Sequence, residues 1–215
     1  MKHFITAISQ QPAKYLKQSV YASADPQNSI ITSDRAVSFP ILIPLENATE
    51  NGESIHLTVI LPQHENVTTN YQTFQKELKE ITDTKNLTCE IDEIKIPYSE
   101  DVDTHLNMFE QLIEQVRDDD LLYVCLTYGT KPVPMVMQTT LNFAYKLRKN
   151  CSIESIVYGQ VDHNENKLKI YDVSSLFYLN SVINSMSSIN AKNPVEYIKT
   201  MLKFTSPQTE RGDLV

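Results

Sequence analysis

The chain has 215 residues, 41% of them hydrophobic, and 19 Lys and Arg against 27 Asp and Glu give a formal net charge of −8. That suffices for one substantial core, and the acidic balance speaks against a protein that wraps duplex nucleic acid through a basic face. The four glycines stand at 52, 129, 159 and 212, too far apart for a G-x-G-x-x-G turn or a P-loop.

Apolar runs stay under about ten residues, short of the roughly 20 that span a bilayer. The opening run Met1–Ser9 reads as a strand, not a signal peptide. Cys89, Cys125 and Cys151 form no C-x-x-C pair, and the five histidines form no H-x-x-x-H or H-x-x-H pair. Neither a disulfide framework nor a local metal motif is encoded; a metal assembled from residues distant in sequence stays open, but no metal and no cofactor are expected. A cytoplasmic location follows as the default.

In chain order, apolar runs at 3–8, 55–61, 90–96, 121–127, 153–158 and 167–172 predict six strands. The connection over 9–54 is longer than a simple crossover needs, and Pro40 and Pro44 rule out an uninterrupted helix over 38–45. Tyr71, Phe74, Leu78 and Ile81 predict a helix over 69–82, with Thr69 or Asn70 as its cap. Leu106, Phe109, Ile113 and Val116 predict a second helix over 103–117, capped by Asp103 or Thr104. A third starts near Pro134 and runs to about Lys149. Alternation of strand and helix predicts an α/β fold, Rossmann-like and doubly wound, with a mostly parallel six-stranded sheet. The short link from Gln160 to Asn166 makes the last two strands an antiparallel hairpin. Helices over 174–190 and 194–204 follow, before a polar tail from Thr205.

Ligands of such sheets bind outside the carboxyl ends of the strands. Two segments fall there: Ser9, Gln10 and Gln11 after the first strand, and Thr127 to Pro134 after the fourth. The second offers Thr127, Tyr128, Gly129 and Thr130, the single cation Lys131, and a helix start that favours anions. A phosphate site and a capped turn with a solvated lysine are both compatible with this. Gly129 and Gly159 each follow a tyrosine at a strand end, as simple turns or as two points on the rim of one site. Asp118, Asp119 and Asp120 read as a solvated turn at the opposite end of the sheet, and Glu77, Glu80 and Asp83 as the wet face of a helix.

The stretch LLYVCLTYGTKPVPMVMQTTLNFAYKL at 121–147 resembles the Asp-x-Thr-His-Gly segment of the CRISPR-associated Rossmann-fold (CARF) family. Thr127 and Gly129 match the Thr and Gly, while Tyr128 stands for the His and Cys125 for the Asp. SIVYGQ at 155–160 and KLKIYDVSSLFYL at 167–179 resemble that family's last hairpin and following helix. The resemblance implies a ligand-binding domain over 1–190, with 191–215 as a helical appendage and tail.

It further implies a homodimer that binds cyclic oligoadenylate, the second messenger of type III CRISPR antiviral signalling, across the two-fold axis. Cyclic tetra-adenylate is favoured, because a four-unit ring places two phosphates on each subunit. The binding set would be Ser9, Gln10, Gln11, Thr127, Tyr128, Gly129, Thr130 and Lys131. Some members of the family also cleave the ring without metal. Lys131 would then stabilise charge, and Ser9, Thr127 or Tyr128 would help orient the ribose 2′-hydroxyl. Other readings stay open: a sensory domain whose output lies elsewhere, an unrelated α/β enzyme acting on a mononucleotide, or an interaction module using the amphipathic helix at 194–204.

Overall fold

A computed structural model describes residues 1–162, 167–188 and 193–205. The link over 163–166, the end of the helix expected to reach 190, and the tail beyond 205 lie outside the described residues. Contacts divide the chain into two compact units, Met1–Ser175 and Leu176–Val215. No helix among the described residues is long and apolar enough to cross a membrane.

The first unit is built on β1 (Lys2–Ala7), β2 (Ser19–Val20), β3 (Ala22–Ser23), β4 (Ala36–Val37), α1 (Leu42–Ala48), β5 (Ser54–Pro62), α2 (Val67–Lys85), β6 (Thr88–Ile96), α3 (Val102–Gln115), β7 (Leu121–Cys125), α4 (Pro132–Leu147), β8 (Ser152–Asp162) and β9 (Lys167–Asp172). A helix α5 (Ser174–Ser188) starts at its end, and α6 (Pro194–Thr205) belongs to the second unit.

The main sheet has the order β3-β9-β8-β7-β1-β5-β6. From β6 to β8 every pairing is parallel, and β9 then returns antiparallel to β8. This is the doubly wound Rossmann-like arrangement. The expected six strands are joined by a seventh, the two-residue β3, which runs parallel to β9 at the edge. A separate pair, β2 with β4, also comes from the long connection.

Successive side chains of the central strands enter opposite cores. Phe4, Leu57, Val59, Tyr123 and Val157 pack in one cluster with residues of α1 and α2, among them Leu45, Phe74 and Ile81. Ile5, Ile60 and Val124 are buried on the alternate positions, and Met108, Leu112, Met137 and Leu141 are buried on α3 and α4, which pack together. The near-continuous burial of β5 fits a strand covered on both faces.

Local chemistry sets the helix ends. Asp101, not Asp103 or Thr104, caps α3, accepting the Thr104 N–H at 2.7 Å. Pro44 sits in the first turn of α1, where an N–H would have no intrahelical partner, so the helix forms despite it. Asn70, expected as a cap, lies inside α2, and its amide donates to the carbonyls of Ser9 and Gln11 at 2.7 and 2.8 Å.

The aspartate run divides. Asp119 takes a left-handed turn at φ 64 and Asp118 accepts the Lys149 N–H, as a turn requires. Asp120 is buried at 1% exposure, which corrects the solvated reading. It accepts the Arg117 N–H at 2.8 Å and lies 3.2 Å from Nδ1 of the buried His3.

Candidate functional site

Strands β1 and β7 are adjacent; from β7 the chain goes on to β8 on one side, and from β1, after the long connection that places β3 at the far edge, it goes on to β5 on the other. Their carboxyl ends form the switch point at which such sheets hold ligands. A cleft of about 700 Å³ opens there.

Three segments wall it. Gln11, Tyr15, Lys17 and Tyr21 come from the long connection after β1, Thr127 and Tyr128 follow β7, and Tyr158, Gly159, Gln160 and Leu168 belong to the β8–β9 hairpin. Four tyrosines, two amides and one ammonium therefore converge. No carboxylate is among the described lining residues, although the chain is acidic overall. Lys17 is exposed, and among the described residues its ammonium meets no carboxylate.

The floor is rigidly tied. The Gly159 N–H donates to Thr127 Oγ1 at 2.8 Å, joining β8 to the β7–α4 loop. The Cys125 thiol, 3.1 Å from the same oxygen, is buried, and burial pushes its pKa up. Tyr128 donates its hydroxyl to the Ser38 carbonyl at 2.8 Å, with its ring edge-on to Phe39. Burial pushes the Tyr128 phenol well above its ordinary range, and Tyr21 up to about 12, so both remain protonated near neutrality. Gly159 has no positive φ; its need is close approach, since a Cβ there would lie 2.5 Å from Pro40 Cγ. Gly129 does have positive φ, 107°, and turns the chain out of β7.

Glu77 anchors this floor from below. It is 5% exposed rather than on the wet face, because the Ser38 N–H and hydroxyl bind its two oxygens at 2.9 and 2.7 Å. Burial raises its pKa above the ordinary 4.5, outweighing those bonds. A raised folded-state value means stability is fully present below the unfolded pKa and is lost as pH rises through the folded one. Glu77→Gln should therefore gain stability relative to the parent as pH climbs from about 4.5 toward neutrality. Parallel urea titrations across that range check it; parallel loss in both proteins would contradict it.

The expected site residues fall in three groups. Gln11, Thr127 and Tyr128 line the cleft, and Gln10 is partly buried beside them in sequence, its carbonyl accepting from Asn66. Ser9 is 1% exposed and is not on the cleft wall; its Oγ accepts the Gln11 N–H at 3.2 Å. Gly129, Thr130 and Lys131 lie where the chain leaves β7 for α4, outside the lining set, with Lys131 exposed at the helix N-cap.

That helix start offers fewer donors than its position suggests. Pro132 and Pro134 carry no N–H, and the Val133 N–H is taken by the Thr130 carbonyl at 2.9 Å. Tyr15, Lys17, Tyr21, Tyr158, Gln160 and Leu168 were not anticipated. The unusual length of the 9–54 connection was the signal for the first three.

A shallower depression of about 790 Å³ includes Arg35, Glu46, Asn47 and Lys85. Both its cations are engaged internally: Arg35 pairs with Glu46 at 2.8 Å, and Lys85 donates to the carbonyls of Glu46 and Thr49, while Asp34 adds a carboxylate to its wall. It fastens the connection to α1 and α2 and leaves little to recognise a ligand.

No protein-family model matches the chain, and no curated protein matches it.

Proposed function

We propose that the cleft at the β1/β7 switch point binds cyclic oligoadenylate, cyclic tetra-adenylate first, as the sensor of a type III CRISPR antiviral signal. The observation that carries this reading is the composition of the walls: tyrosines with Lys17 and amides, and no carboxylate among the described residues. Exposed rings at Tyr15 and Tyr158 suit stacking of bases, amides suit their edges, and one ammonium suits a phosphate. Motif resemblance at Thr127 and Gly129 supports the same ligand class.

A volume of about 700 Å³ sits within the roughly 300–1,000 Å³ of pockets that hold a drug-sized molecule, room for one or two nucleotides and not a whole ring. Two clefts related by a two-fold axis would hold the ring together, so a homodimer belongs to the proposal. A cytoplasmic location goes with it.

Ring cleavage, where it occurs, would use the ribose 2′-hydroxyl as nucleophile, with Lys17 or Lys131 stabilising charge and tyrosines orienting the sugar. Among the described residues neither histidine nor carboxylate lines the cleft as a general base, so turnover would be slow and indifferent to EDTA.

The chain has no tryptophan, so tyrosine emission reports binding directly. Titration with cyclic tetra-adenylate should quench it, and Tyr158→Ala should weaken binding by about 1–3 kcal/mol, the usual loss of one base–aromatic stack. Equal affinity of parent and variant would remove Tyr158 from the site.

A further inference from the structure

At the amino ends of the strands, remote from the cleft, the fold assembles a second cluster from distant parts of the chain. His3 on β1 and His56 on β5 are register partners on adjacent parallel strands, and their rings stack at 3.9 Å. Asp120, from the turn before β7, reaches the same place. All three are buried, at 0%, 0% and 1% exposure.

We propose that His3, His56 and Asp120 form a binding site for a divalent transition-metal ion of the zinc class. One ligating atom from each lies within 4.8 Å of the other two. Bonds of about 2.0–2.1 Å to a tetrahedral ion place neighbouring donors about 3.3 Å apart. The 3.2 Å between His3 Nδ1 and Asp120 Oδ2 already matches one such edge. The stacked rings are inclined by 24°, and a further tilt brings the His56 nitrogen onto the same ion.

His56 supplies the independent observation. Its Nε2–H donates to the Asp92 carboxylate at 2.6 Å, which leaves Nδ1 as a bare lone pair. That Nδ1 is buried and has no hydrogen-bond partner. A buried acceptor left empty is costly, and a cation satisfies it. A carboxylate behind a histidine is also the arrangement that orients metal-bound imidazoles. The Thr58 hydroxyl, 2.8 Å from His3 Nε2, plays the corresponding part for the other ring. Two imidazoles and one carboxylate suit zinc better than magnesium or calcium, which prefer oxygen donors throughout. The ion would tie β1, β5 and the turn before β7 together, as a structural staple bound during folding. The sequence carries no ligand spacing for it, because only strand register brings these residues together.

The test uses the full chain, stripped with EDTA and dialysed against zinc sulfate alone. One zinc ion per chain should be retained, with a rise in Tm, and cobalt chloride should give the visible absorption of a tetrahedral site. His56→Phe keeps a ring in the stack without nitrogen donors and should abolish stoichiometric retention; Asp92→Asn should weaken it about 10–100-fold. No retention by the parent, or undiminished retention by His56→Phe, would overturn the site. Should His56→Phe fail to fold, the imidazole nitrogen spectrum of the parent decides. A zinc-dependent shift of His56 Nδ1 supports the site, and an unmoved resonance overturns it.

Discussion

Replacing Gly159 by alanine is expected to lower stability by about 1–3 kcal/mol, the range for forcing extra volume into a packed site. The added Cβ would lie 2.5 Å from Pro40 Cγ and 3.1 Å from Tyr21 Cε1. Neither neighbour gives way easily. Pro40 lies two residues after Ser38, which Glu77 holds by two hydrogen bonds, and Tyr21 is buried at 3% exposure. Relief must come from β8 itself, which breaks the 2.8 Å bond from the Gly159 N–H to Thr127. For a chain of this length each kcal/mol is worth roughly 2–4 °C in Tm. The fall should therefore be visible in a thermal melt, together with weaker ligand binding because the cleft floor has moved. An unchanged Tm would mean that the Pro40 contact relaxes freely.

Lys17→Ala should weaken cyclic tetra-adenylate by about 1.5–3 kcal/mol, the value of a charged hydrogen-bond partner, or roughly 10- to 150-fold. Lys17 is the only charged side chain among the described lining residues, with the Lys14 ammonium nearby over the Tyr15 ring, 4.9 Å from its centroid. Lys131 is exposed where α4 begins, outside the cleft wall. Lys131→Ala should weaken a ring that extends beyond one cleft and leave binding of 5′-AMP unchanged. Undiminished ring binding by the Lys17 variant would move the phosphate site out of the cleft. Equal losses of ring and mononucleotide in the Lys131 variant would place that ammonium within the cleft's reach.

Much of the architecture was legible because it is local. Strands such as β5 are nearly continuous apolar runs, and the helices between them repeat at helical spacing, so the parallel sheet followed from alternation. Thr127 and Tyr128 were legible as cleft residues for the same reason: they end a strand whose direction was known. What escaped depends on contacts far apart in sequence. Asn70 looks like a cap and is instead a strap to Ser9 and Gln11, which only packing of α2 against the β1 end reveals. Glu77 lies between lysines and reads as surface until Ser38 arrives to bind it. Tyr15 and Lys17 sit in a polar stretch without periodicity, and only the fold of the connection turns them to the cleft. His3, His56 and Asp120 meet through register, which no spacing encodes.

As proposed, this cleft, doubled across a two-fold axis, receives a cyclic oligoadenylate. Calorimetric titration of the full chain with cyclic tri-, tetra- and hexa-adenylate, with light scattering on the same samples, tests it most directly. The expected result is saturable heat strongest with cyclic tetra-adenylate, one ring for every two chains, and the mass of a dimer. Absence of heat with all three rings at micromolar protein, from a chain that scatters as a monomer throughout, would contradict it.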